Sequence, residues 1–112
     1  MSKEKADTPA LAEAARLAEL VSYQEGAVVS RSLVHRPSGS VTLFAFDEGQ
    51  SLSEHTAPFD ALVYVVEGEA EVTVSGRESR LGAGDALLMP ANEPHAVKAA
   101  KRFKMLLIML RS

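Results

Sequence analysis

The hydrophobic pattern changes period once along the chain. Up to residue 21 the apolar positions keep a helical spacing. Ala14, Leu17, Ala18, Leu20 and Val21 make a broad stripe, and Glu13, Arg16 and Glu19 recur every three residues on the other face. Thr8 suits an N-cap and Pro9 the first helical position, so the pattern predicts a helix over 9–21. The stripe is expected to pack on the body of the protein or on a partner subunit. Residues 1–7 are polar and expected to fray.

From residue 26 the period becomes that of strands. Val28 to His35 reads as one strand, Arg36 to Gly39 as a turn, and Ser40 to Phe46 as a second strand. Gly49 to Glu54 reads as a polar connection. Ala61 to Val66 is strongly β-prone, Glu67-Gly68 is expected to turn the chain, and Ala70, Val72 and Val74 alternate with polar residues. Turns at Ser75-Gly76 and Gly82–Asp85 bracket another strand, Ala86 to Met89 follows, and Pro90, Asn92 and Pro94 break it. His95 to Ala99 and Phe103 to Leu110 close the series. Eight or nine short strands with regular turn signals predict an all-β sandwich or barrel. Met105 to Leu110 is apolar at both parities, so both of its faces need a cover, from the N-terminal helix or a second subunit.

Composition narrows the chemistry. With 112 residues the chain fits one domain, read as a tail and helix over 1–22 and a single barrel over 23–112. A formal net charge of −3 leaves no basic excess for nucleic acid. Lys98, Lys101, Arg102 and Lys104 are read as a solvated edge of the kind that guards strands. The absence of Cys excludes disulfides, thiolate nucleophiles and Cys-ligated zinc. No apolar stretch is long enough for a helical membrane span, and the charged first residues do not read as a secretory signal. A cytoplasmic protein of bacterial type is expected, and the small size together with the doubly apolar last strand predicts a homodimer.

Two segments carry candidate chemistry. The first runs from Gly49 through His55, Ala57 and Ala61 to Gly68. The second runs from Gly84 through Pro90, Asn92 and His95 to Ala99. In order and spacing they resemble the two motifs of the cupin superfamily, in particular its small single-domain conserved-barrel members. The resemblance implies a double-stranded β-helix, a jelly-roll barrel, here with a short N-terminal α-helix. In that family three His and one Glu usually converge on a divalent metal inside the barrel. His55 and His95 match ligand positions. Ala57 stands where the second His belongs and Ala61 where the Glu belongs, so the implied metal site is half deleted. Asn92 replaces a family Gly, which it can do because Asn tolerates left-handed backbone. Ala99 replaces a family Asn.

Strand parity reaches the same point independently. Positions 55, 57 and 61 share one parity and so one face, whereas Asp60 and Glu54 have the other. Asp60 could reach the site only through a bulge and is read as a surface acid. Two imidazoles leave most of a coordination sphere to water, so at most one weakly held divalent ion, zinc, nickel, copper or iron, is expected on His55 and His95. The iron oxygenase triad lacks its carboxylate. Alanines at 57 and 61 remove bulk and charge, leaving an apolar small-molecule pocket expected to be lined by His55, Ala57, Ala61, Val63, Met89, His95 and Met105. Tyr64 has the wrong parity and is placed on the outer face; His35 is read as exposed. The expected function is a ligand-binding or sensing module. The alternative is a small enzyme, either a metal-dependent lyase, isomerase or dioxygenase or a metal-free isomerase using His as general base. A lone N-terminal helix cannot form a helix-turn-helix, so a complete transcription factor is excluded.

Overall fold

The computed structural model describes residues 11–111. Eight strands follow one another: β1 (Val28–Arg36), β2 (Gly39–Phe46), β3 (Ser51–His55), β4 (Asp60–Val74), β5 (Arg77–Gly82), β6 (Ala86–Met89), β7 (His95–Lys98) and β8 (Phe103–Leu110). All pairings are antiparallel. The first half of β4 lies between β8 and β6, and β8 continues through β2 to β1. The second half of β4 lies between β5 and β7, and β7 continues to β3. One curled sheet thus makes two facing layers, the arrangement that the resemblance implies.

The strand that joins the layers differs from the sequence expectation. Glu67-Gly68 is not a turn: β4 runs for 15 residues through it. A bulge between Val65 and Glu67 and a positive φ of 82° at Gly68 bend the strand instead. A Cβ at Gly68 would collide with the Arg102 carbonyl oxygen and with Phe103. The turn chemistry was legible, but here it serves a bend within a continuous ladder. The polar connection at Gly49 to Glu54 also differs. Ser51–His55 forms β3, held by pairing with β7 rather than by its own weak β-propensity. Ser75 and Gly76, both with positive φ, make the tight hairpin turn between β4 and β5 as expected.

Inside the barrel, Phe46 and Phe103 stack at 4.5 Å between ring centroids. Around them pack Val63, Val65, Val72, Val97 and Met105. A second apolar cluster lies on the outer face of the β1-β2-β8-β4 layer, built on Leu33, Leu43 and Ala45. The bulge between Ser32 and Val34 gives β1 two neighbours, Leu33 and Val34, in this cluster. Both faces of β8 are therefore used. Phe103 and Met105 face the barrel, and Leu106 faces the outer cluster. Burial weakens along β8, however, and Leu110 is 55% exposed.

The N-terminal helix is the main correction. Among the described residues there is no α-helix, only a 3-10 turn at Leu17–Glu19. Thr8 and Pro9, the expected cap and first helical residue, lie outside the described residues. The apolar stripe is real but acts as a strap. Leu17, Leu20, Val21 and Tyr23 dock on the outer cluster. Carbonyls that a helix would use are taken by side chains: Lys104 Nζ donates to the Ala18 carbonyl and Arg31 Nη1 to that of Leu20. A short helix has little intrinsic stability, so these anchors decide the conformation. Lys104 is consequently buried, not part of a solvated edge. Its ammonium stands 3.7 Å from the Glu67 carboxylate, which also accepts the Tyr23 hydroxyl at 2.7 Å. Burial, then the bond to Glu67, pushes the Tyr23 phenol well above its usual range. Arg102 caps the Tyr23 ring and pairs with Asp47 at 3.0 Å. Donation from the Gly26 N–H and then from Arg102 holds the Asp47 carboxyl below the usual range. No helix of the described residues is long and apolar enough to cross a membrane.

The close approach at Gly68 makes a specific prediction. Gly68→Ala should cost about 3 kcal/mol or more, combining strain with a backbone collision. Gly26→Ala, where φ is also positive but nothing lies within 4 Å, should cost only about 1 kcal/mol. Urea denaturation of the two variants measures the difference, and equal losses would mean that β4 does not need its glycine for the crossing.

Candidate functional site

His55 ends β3 and His95 begins β7, and the two residues oppose each other in the β3–β7 ladder. A register shift between Leu52 and His55 precedes this pairing. Without that irregularity Leu52 and His55 would have opposite parities. With it, His55 turns toward His95 while Leu52 packs on the barrel core. On the other side of β7, His95 is paired with Val74, at the end of β4. His95 is buried, and His55 is exposed at the barrel mouth.

The imidazoles meet edge to face with centroids 4.4 Å apart and their Nε2 atoms 3.2 Å apart. Each Nδ1 faces a backbone carbonyl two residues upstream. His55 Nδ1 donates to the Ser53 carbonyl at 2.7 Å, and His95 Nδ1 to the Glu93 carbonyl at 3.2 Å. A carbonyl can only accept, so both Nδ1 atoms must carry the proton. A neutral imidazole has one N–H, so in the doubly neutral pair both Nε2 atoms present lone pairs to each other. Burial, and then repulsion from His55, lowers the pKa of His95, against a smaller opposing effect of the Glu93 carbonyl. The pair therefore resists becoming a doubly charged one. What it offers is two nitrogen acceptors facing each other, with fixed tautomers, and carbonyls that orient the rings in the manner of outer-shell partners of metal-bound His.

That donor set fits a metal ion in part. Two nitrogens on one tetrahedral zinc stand roughly 3.3 Å apart, near the observed separation. Among the described residues, though, no group of three or more His, Cys, Asp and Glu side chains converges. Asp60 does not supply the third ligand. Its Oδ1 accepts the Ala91 N–H at 2.8 Å and so ties the start of β4 to the loop before β7. Asn92 in that loop has φ of 67°, the left-handed conformation expected of it, and its N–H donates to the Ala57 carbonyl at 2.7 Å. Ala57 thus helps to close the loop over the site through its backbone.

The remaining pocket residues occupy the packed interior. Ala61, Val63, Met89 and Met105 belong to one cluster, with Val63 and Met105 fully buried. Ala61 is opposed by Met89 on β6 and Met109 on β8. Tyr64 is on the outer face opposite Leu106, and His35 is exposed. The groups that sequence reasoning missed are the Ser53 and Glu93 carbonyls, which fix the tautomers. Main-chain acceptors carry no residue-type signal, and only the shared two-residue offset could have suggested them.

Comparison with known proteins agrees with this architecture. The Cupin domain family model matches residues 42–110. A conserved protein of unknown function from Streptococcus pyogenes superposes with a TM-score of 0.86 at 35% identity, covering 90% of this chain and 89% of that one. A Cupin 2 conserved barrel domain protein from Leptotrichia buccalis gives 0.81 at 45% identity over 84% of this chain and 46% of that one. In sequence, the tetracenomycin polyketide synthase protein TcmJ of Streptomyces glaucescens is 33% identical over 73 residues, which is 64% of this chain. The match spans about half of TcmJ, 49% of its length.

The lowered pKa of His95 has a consequence for stability. Above about pH 6.5 His95 is neutral in both the folded and unfolded chain and contributes no pH dependence. As the pH falls below about 6.5, the unfolded chain takes up a proton that folded His95 resists, so stability falls until the folded pKa is reached. Protein stripped of metal should melt at a lower temperature at about pH 5.5 than at about pH 7.5. His95→Gln should flatten that slope. An unchanged slope in the variant would assign the loss to other groups.

Proposed function

The chain belongs to the cupin family, and from that premise we propose that it is a small-molecule-binding barrel whose polar element is the His55–His95 pair, able to hold a divalent transition ion weakly. The observation that carries this reading is the pair of bare Nε2 atoms 3.2 Å apart with both Nδ1 protons committed to carbonyls. Bound between them, zinc, nickel, copper or iron would supply a Lewis acid with most of its positions open to water or ligand. The residues themselves orient and exclude. His55, exposed, receives the incoming group at the mouth. His95, buried, supplies an acceptor that stays uncharged near neutral pH. Ala57 leaves room at the mouth, while Ala61, Val63, Met89 and Met105 are packed in the apolar core and line no open cavity.

A second reading, a metal-free isomerase, is favoured by one feature. A buried neutral imidazole with a free Nε2 is a competent general base near pH 7. The two readings separate on metal.

Metal content of untagged protein, followed by titration with nickel or zinc, is the test. Wild type should retain little metal through purification and bind it reversibly, and His55→Ala with His95→Ala should not bind. Ala57→His with Ala61→Glu should retain near-stoichiometric metal. Tight stoichiometric metal in wild type would mean that a further ligand completes the site. Equal binding by the doubly substituted variant would overturn the assignment to the pair.

A further inference from the structure

The strand register places an arginine in line with the histidine pair. His55 opposes His95, His95 opposes Val74, and Val74 opposes Arg77. The row crosses the whole β3-β7-β4-β5 layer. Directly opposed residues of an antiparallel ladder share a face. Val74 packs on the interior cluster, so the row faces inward at the barrel mouth. Arg77 is the first residue of β5, and the tight turn at Ser75-Gly76 sets it beside Val74. A cleft of about 370 Å³ opens there, lined in part by Val74, Ser75, Arg77, Leu87, Pro90 and Glu93. Leu87 belongs to β6 of the facing layer and also packs on the interior cluster. The cleft therefore has an apolar floor between the two layers and a polar rim.

Arg77 stands apart from the other arginines among the described residues. Arg16, Arg80 and Arg102 pair with carboxylates. Arg31 and Arg36 donate to main-chain carbonyls, and Arg111 lies over the Phe59 ring. Arg77 has no such partner among the described residues and is open to solvent. Glu93, the acid of the cleft, is engaged elsewhere: its Oε1 accepts the Ser75 hydroxyl at 2.8 Å. The Glu93 carbonyl also orients His95, so one residue joins the cleft to the histidine pair. An unpaired guanidinium beside an apolar floor suits a ligand carboxylate, which it can hold through two parallel N–H bonds. At the other end of the row, the two Nε2 lone pairs suit a hydroxyl donor. His95 and Arg77 lie two strands apart, roughly 9.6 Å. A hydrogen bond of about 2.8 Å at each end leaves roughly 4–6 Å between the two groups of the ligand. A six-membered ring with a hydroxyl and a carboxylate on opposite carbons spans that gap. Its faces then pack on Val74 and Leu87.

We propose that Arg77 determines specificity by selecting a small hydroxy acid, with the carboxylate on Arg77, the apolar body across Val74 and Leu87, and the hydroxyl on the histidine Nε2 atoms. This inference rests on the reading of the His55–His95 pair as the polar element of the site. An amide NMR titration of metal-free protein with para-hydroxybenzoate at about pH 7.5 tests it. Benzoate lacks the hydroxyl and para-cresol lacks the carboxylate. Wild type should bind para-hydroxybenzoate at least about tenfold more tightly than either. Arg77→Gln should weaken both acids about tenfold and leave para-cresol unchanged. Arg77→Lys should recover part of the loss, since it restores the charge without the fork. His55→Ala with His95→Ala should erase the preference for para-hydroxybenzoate over benzoate. Arg80→Gln, which breaks an exposed pair with Glu71, should change none of these affinities. Circular dichroism confirms that each variant is folded. Acid binding by Arg77→Gln equal to wild type, or an equal loss of para-cresol in that variant, overturns the proposal. Nickel titration separates it from the reading beneath it, because Arg77→Gln should bind nickel as wild type does. Wild type that binds nickel through the pair but shows no Arg77-dependent acid binding overturns this inference alone. Nickel binding that survives the loss of both histidines overturns the reading of the pair.

Discussion

The crossing of β4 past the start of β8 is the constraint on which the rest of the barrel depends. One strand has to pair in two layers, and it can bend between them only where the backbone of Arg102 and Phe103 passes against Gly68. Upstream of the bend, β4 presents Ala61, Val63 and Val65 to the interior and Leu62 and Tyr64 to the outside. Downstream, it carries Val72 and Val74 to β7, and so brings His95 up to His55. The bulge beside the bend aims Glu67 at Tyr23 and Lys104, which secures the strap over the outer cluster. A change at this crossing would therefore reach the interior, the histidine pair and the outer face together.

The parts of the fold legible in the sequence were those set by local apolar runs, alternation and turn residues. The positions of β1, β2, β6, β7 and β8 followed from their apolar, β-prone runs, and the hairpin at Ser75-Gly76 from turn chemistry. The parts that were not legible depend on partners distant in the chain. Ser51–His55 has no strong strand signal and is ordered by β7. Glu67-Gly68 reads as a turn because a glycine with positive φ serves a turn and a strand bend equally well. The stripe from Ala14 to Val21 reads as a helix because periodicity reports which residues are apolar, not which carbonyls Lys104 and Arg31 will claim.

The site divides in the same way. Motif spacing identified His55 and His95, and the structure brings them into contact. Parity placed Ala61 on the inner face and set Asp60 apart from it. Where Asp60 is anchored, on the Ala91 N–H, depends on the shape of the loop before β7 and could not be read beforehand. The same holds for the tautomers, which are fixed by main-chain acceptors.

Burial at position 61 gives the two alanines a physical meaning. Ala61 is 3% exposed and lies between Met89 and Met109 in the ladder. A carboxylate there would be an ion in an apolar interior, and such an ion costs several kcal/mol unless a cation or hydrogen-bond donors face it. An acid at this position would tie the stability of the core to an occupied metal site. Alanine removes that dependence, so the interior can pack without a metal. What remains at the mouth is two imidazoles whose rings the backbone already holds in place.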